Sequence, residues 1–363
     1  MSGKYALVHA MVDGACAAVM LGFPGVDGGK MTEMILLYNL LAFSTQGLSG
    51  LLADCTRRGD LTARAGCLLV AIGVFLPLGP LGKGLLLGMG NSLFHAGAGE
   101  QVMRGSGGKA APLGVFVAPG AVGLCIGGLF PALKWLFGTA LAVFVFLPLV
   151  KPVRRAGQPT FAPPRAAAFG AGAMLLFCVF SRAFVGSVVS FPWRTGMAAT
   201  LALAVFAAAG KALGGFLCDR LGPAMAGVCS IFPAAGLILF CTGSVPLSLM
   251  GQLLLNLSMP VTLWLMYRVT PGYPGFAFGL AAGALYPGTL LAALTPEGAA
   301  ARGWITAGVF FFNTVFILCS VWMLRERKEP YETAKKDDRP AACRPNSPDL
   351  SADRPGGCGG SWN

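Results

Sequence analysis

The sequence predicts an all-α integral membrane protein of twelve transmembrane helices, arranged as two six-helix pseudo-repeats. Hydrophobic residues make up 55% of the chain and charged residues only 12%, with a mean hydropathy of +0.69, far from the composition of a soluble domain. Apolar runs near spanning length recur from Tyr5 to Leu324 between short loops. They are continuous and lack the alternation of a channel-lining strand, which favours helices over a barrel. The third observation is an internal repeat: Gly50-Leu51-Leu52-Ala53-Asp54 and Gly215-Phe216-Leu217-Cys218-Asp219 lie 165 residues apart, and the same offset carries Asn91 onto Asn256, Gly114 onto Gly279 and Gly123 onto Gly288. Duplication in an apolar chain points to a transporter.

The expected N-terminal half, residues 1–150, holds six spans. The first, 5–23, is read as a span because no small-residue cleavage site follows Phe23-Pro24. The second, 31–53, runs into the first copy of the repeated motif. The third and fourth, 64–80 and 82–103, are a close pair, as are the fifth and sixth, 110–130 and 132–150. Residues 151–166, with Lys151, Arg154, Arg155, Pro163 and Pro164, read as a basic cytoplasmic linker. In the C-terminal half, 167–324, spans are expected at 167–191, 195–218, 222–243, 245–267, 275–293 and 302–324, the second of them entering the other motif copy. The tail, 325–363, is polar and rich in Pro and Gly, and is expected to be a disordered cytoplasmic segment.

A net charge of +12 raises the question of nucleic acid, but the placement of the charges answers it. Arg57, Arg58, Arg64, Arg104, Lys109, Lys151, Arg154, Arg155, Arg165, Arg220 and Arg268 share a side with Lys4, against Lys30, Lys83, Lys134, Arg194 and Arg302 on the other. The positive-inside rule then makes both termini cytoplasmic, in a multi-pass protein of the cell (plasma) membrane. Cysteine is equally uninformative about chemistry. Cys16, Cys67, Cys125, Cys178, Cys229, Cys241 and Cys319 sit singly in apolar runs without ligand-like spacing, and no disulfide is expected of Cys55, Cys218, Cys343 or Cys358.

The motif gives the repeat a place at the cytoplasmic end of the second helix of each half. Here the chain resembles the major facilitator superfamily, whose loop between helices two and three reads G-x-L-A-D followed by basic residues. Gly50 to Asp54 with Arg57 and Arg58 fits it, and Gly215 to Asp219 with Arg220 and Gly222 fits the weaker second copy. The resemblance implies that Asp54 and Asp219 are gating residues that stabilise one access state by pairing with helix ends and with Arg57, Arg58 and Arg220. Asn91-Ser92-Leu93-Phe94-His95 and Gly114 to Gly120 are loosely similar to fosmidomycin-resistance-type efflux proteins of that superfamily. Pro119, Gly120, Gly123, Gly127 and Gly128 resemble the glycine-proline pattern of drug/proton antiporters, in the order Pro-Gly; a close-packing face is the alternative.

Ionisable residues inside spans carry the expected chemistry, because a charge there costs ~2.5–3.5 kcal/mol even on the lenient insertion scale. His9 and Asp13, Asn91 and His95, and Gln252 and Asn256 are each four apart, so each pair shares a helix face. Asp13 is the expected proton carrier, with His9 and His95 sharing the task. Arg182 either binds an anionic substrate or is the counter-ion of Asp13; Asn91, Gln252 and Asn256 complete the expected substrate site. Lys211 reads as a snorkelling residue and Glu100 as the partner of Arg104.

No His-Glu-x-x-His, phosphate-binding glycine loop or grouped Cys/His set is present, so no enzyme, cofactor or metal is expected. The expected function is secondary active transport of a small organic solute, coupled to protons and outward in direction. An uptake permease and a transporter-like receptor are the alternatives. The expected partners are the solute, protons and the lipid bilayer, with the chain a monomer and no nucleic acid bound.

Overall fold

The computed structural model describes residues 2–23, 25, 27–147, 151–153, 162–296 and 299–325, with 299–302 as backbone only. Pro24, Arg154, Arg155, the side chain of Arg302, and the tail with Cys343 and Cys358 lie outside the described residues. Residues Met1–Arg325 form one compact unit.

The helices in chain order are α1 Ser2–Leu21, α2 Gly28–Thr56, α3 Gly59–Phe75, α4 Pro80–Arg104, α5 Ala111–Leu129, α6 Lys134–Phe146, α7 Arg165–Val188, α8 Gly196–Leu221, α9 Pro223–Phe240, α10 Val245–Val269, α11 Pro274–Leu294 and α12 Ala299–Met323. Among the described residues, nine are long and apolar enough to cross a membrane; α3, α4 and α6 fall short by length or composition. In hydrocarbon the backbone must bond to itself, and the helices do this while turning bulky side chains outward. Phe169, Phe240 and Trp304 are each more than four-fifths exposed, as a lipid-facing surface requires.

Local chemistry sets the ends. Asp27 caps α2 by accepting from the amide of Lys30, and Arg57 closes α2 in the left-handed region at φ 54°. Proline opens α4, α9 and α11 at the position where a missing N–H costs nothing. The expected span at 64–80 is observed earlier, over Gly59–Phe75. Pro77 bars Leu76 from helical backbone, while Asp60 in the first turn suits the positive end of the helix dipole. Likewise α7 begins at Arg165, inside the segment expected as linker, and α6 ends at Phe146, with 148–150 outside the described residues. Two helices are interrupted: α2 by a π turn over Leu40–Ser44 and α11 at Ala284.

The contacts that join early and late helices recur at the sequence offset. A Cβ on Gly279 of α11 would lie 2.1 Å from the carbonyl of Gln46 on α2, and one on Gly114 of α5 would lie 2.6 Å from the carbonyl of Lys211 on α8. Gln46 and Lys211 are themselves 165 apart, as are the two glycines. Only glycine permits such approach, so α2 seats on α11 and α5 on α8 through matching points.

Candidate functional site

At one end of the bundle, each repeated aspartate caps a helix of the other half of the chain. Asp54 accepts from the amides of Gly275 and Phe276 at 3.0 and 2.8 Å, at the start of α11. Asp219 accepts from Ala110 and Ala111 at 2.7 and 2.9 Å, at the start of α5. These amides are orphan donors at the positive end of a helix dipole, so a carboxylate is the natural acceptor. The basic residues expected as partners are elsewhere: Arg57, Arg58 and Arg220 are exposed and make no ion pair among the described residues. Arg57 and Arg58 lie past the end of α2 and Arg220 in the last turn of α8, all three exposed, whereas Arg104, on α4, reaches Asp54 at 3.7 Å. Arg104 also pairs with fully buried Glu100, as the sequence predicts. Gln101 extends this set by donating to Glu100 and accepting from the amide of Val153 at 2.7 Å.

Beyond those capped helix ends lies a cavity of about 540 Å³ whose lining includes Gln46, His95, Lys211, Phe191 and Arg194. His9, Asp13, Asn91 and Gln252 also line it. The volume falls in the range of small-molecule sites.

Four of the predicted residues form one cluster against this cavity. His9 Nε2 is 3.1 Å from Asp13 Oδ2, His95 Nε2 is 3.5 Å from Asp13 Oδ1, and Asn91 donates to Asp13 Oδ1 at 3.2 Å. The two imidazoles meet directly, Nε2 to Nε2, at 2.8 Å. Each Nδ1 lies 2.9 Å from a backbone carbonyl, Phe116 for His9 and Asn91 for His95. A carbonyl only accepts, so both Nδ1 atoms carry hydrogen and both neutral rings would present a bare lone pair at Nε2. Two lone pairs at hydrogen-bond distance repel, and one proton placed between them, beside the Asp13 carboxylate, would remove the conflict.

His9, Asp13 and His95 also bring three ligand-type atoms within 4.8 Å, a grouping that spacing along the chain did not reveal.

Arg182 does not pair with Asp13. It is buried on α7, it does not line the cavity, and its one side-chain hydrogen bond among the described residues runs from Nη1 to Thr262 at 3.4 Å. The carboxylate already has two histidines and an amide from its own half of the chain, which leaves the guanidinium without an acid. Asn256 is also removed from the expected site, since its side chain donates to the carbonyl of Gln252 on the same helix at 2.8 Å and is absent from the cavity lining. Lys211, expected to snorkel, lines the cavity instead.

The sequence reading passed over Gly120 as a site residue. A Cβ there would lie 2.3 Å from His9 Nε2 and 2.6 Å from Asp13 Oδ2, so this glycine makes the room in which the cluster assembles. Its neighbours Gly123 and Gly127 abut α1 in the same way, at the carbonyls of Ala10 and Gly14, so the glycine run is a close-packing face. The helical spacing of the three glycines was the available signal. Gly120→Ala is expected to displace His9 and abolish pH-dependent transport, while the melting temperature of the purified protein falls by only a few degrees. A variant with full pH-dependent transport would show that the cluster tolerates the methyl group.

No protein-family model and no curated protein matches the chain. Solved structures do. The E. coli fucose:proton symporter FucP is similar over 87% of this chain and 98% of its own, with TM-score 0.65 and 12% identity. A structure of the major facilitator superfamily transporter FucP in the outward conformation gives TM-score 0.60 at 12% identity, over 88% of this chain and 99% of that one. A bacterial homologue of the iron transporter ferroportin, in an outward-facing state, gives TM-score 0.54 at 14% identity, over 89% and 98%. The fold is that of the major facilitator transporters. With its apolar helices, it makes this a multi-pass membrane protein.

Proposed function

We propose that the chain is a proton-coupled secondary transporter of a small organic solute, working by alternating access between two six-helix halves, 1–150 and 167–324. The observation that carries the reading is the His9–His95 contact beside Asp13. It supplies a proton site on the wall of a solute-sized cavity, where occupancy by solute and by proton can influence one another. The fold supports transport, and the two aspartate-capped helix ends support a closed gate at the end that the basic residues assign to the cytoplasm, with both termini there and the chain in the plasma membrane as a monomer.

The direction proposed is outward, on the loose sequence resemblance of Asn91 to His95 and of Gly114 to Gly120 to fosmidomycin-resistance-type efflux proteins. Uptake is the second reading, favoured by the likeness to a fucose:proton symporter. Proteoliposomes holding the intact chain, loaded with a panel of organic solutes, test the proposal under an imposed pH difference. Accumulation of at least one solute that collapses with a protonophore is expected; movement indifferent to the pH difference would refute proton coupling.

A further inference from the structure

Two side chains at the floor of the cavity, related by the sequence offset, are left without partners of opposite kinds. Gln46 on α2 spends its amide on the carbonyl of Ala42 at 2.7 Å, and its Oε1 is the one buried side-chain oxygen or nitrogen among the described residues with no hydrogen bond. Lys211 on α8 makes no hydrogen bond or ion pair among the described residues. Both line the cavity, and each has its backbone pinned by a glycine of the neighbouring helix, Gly279 for Gln46 and Gly114 for Lys211. Their backbones are therefore fixed by close packing against those glycines, and both residues border the solute space with unmet hydrogen-bonding capacity.

The surrounding charge decides what fills it. Asp13 is the one carboxylate among the described lining residues, and it is already engaged by His9, His95 and Asn91. Lys211 lies within electrostatic reach of Arg182, Asp13 and His95. Arg194 adds a second cation to the lining and makes no ion pair among the described residues. A cationic solute would meet both without compensation, and a metal dication more so. A carboxylate on Lys211 would answer the unpaired charge with a charge-assisted hydrogen bond. Gln46 Oε1 accepts only, so the same solute needs an O–H or N–H donor. Phe278, Val117, Leu203 and Leu255 supply apolar wall for the remainder.

We propose that the cavity binds a small organic acid as its anion, with the carboxylate on Lys211 and a hydroxyl or N–H group donating to Gln46 Oε1. The proposal rests on the carrier reading and names its solute class. Thermal-shift titration of the purified full chain tests it with para-hydroxybenzoate, benzoate, para-hydroxybenzamide and para-hydroxybenzylamine, and with lactate, propionate, lactamide and ethanolamine as a second scaffold. Each is raised to about 10 mM, where a ligand bound only by the native state stabilises by mass action.

In at least one set the hydroxy acid is expected to stabilise most, the plain acid less, and the amide and amine least. Lys211→Gln should weaken the acid by at least about 10-fold and Gln46→Leu should erase the hydroxyl preference alone. The fold already holds glutamine at the equivalent point of α2, and Lys211→Arg should keep the acid preference, which controls for misfolding. An amide or amine as good as the acid, an acid preference that survives Lys211→Gln in folded protein, or no stabilisation in either set would overturn the proposal. Binding is read without a gradient, so failure of proton coupling is seen separately, as acid stabilisation in a protein whose solute movement ignores an imposed pH difference.

Discussion

Asp13→Asn is expected to lower pH-driven solute accumulation by roughly 100-fold, because removing one partner of a buried ion pair costs about 3–5 kcal/mol and the shared proton would lose its counter-charge. Without the carboxylate, the His9 and His95 rings can relieve their lone-pair conflict only by turning apart, which dismantles the proton site. Solute exchange down its own gradient should continue, since Lys211 and Gln46 are untouched. Counterflow and pH-driven uptake in the same proteoliposomes separate the two. If Asp13→Asn still concentrates solute against a gradient, the carboxylate is not the counter-charge, and the coupling must reside elsewhere in the cluster.

The second large effect concerns the closed end. Each aspartate accepts two backbone amides at a helix start, and charge-assisted bonds of this kind contribute about 1.5–3 kcal/mol. Asparagine keeps one acceptor and turns an N–H₂ toward the second donor. The double variant Asp54→Asn/Asp219→Asn should therefore disfavour the closed end by at least 3 kcal/mol or so, a shift of about 100-fold toward the opposite access state. Spin labels across the α2–α11 and α5–α8 seams should report longer distances, while acid affinity stays within a few-fold. Unchanged distances with lost binding would mean that the carboxylates serve the solute site instead.

Much of the architecture was legible because membrane helices advertise themselves by composition, and because the duplication leaves identical residues at one offset. His9 with Asp13 and Asn91 with His95 were legible as pairs, since four-residue spacing fixes a shared helix face. What spacing cannot provide is the packing of one helix on another. The meeting of His9 with His95 depends on α1, α4 and α5 closing around Gly120, and no periodicity within any one of them encodes it. The same limit explains Arg182: a cation inside a span reads as a counter-ion for Asp13, but no distance across the bundle can be read from sequence. Lys211 was misread because a lysine two turns from a helix end can snorkel or line a cavity with equal ease; the glycine on the facing helix decides between them.

The reciprocity of the gate contacts bears on symmetry. Asp54 meets Gly275 and Phe276, and Asp219 meets Ala110 and Ala111, which are the same positions one repeat earlier. Each half thus carries both the capping carboxylate and the helix end that receives it, which is the defining property of an isologous interface. In a homodimer of the first half alone, Asp54 of each copy would face the amides of Ala110 and Ala111 of the other. The single chain is in this sense a tethered dimer whose two-fold axis passes between the two capped helix ends, and the residues that break the symmetry, His9, Asp13 and His95 on one side and Lys211 on the other, are those that give its cavity a polarity.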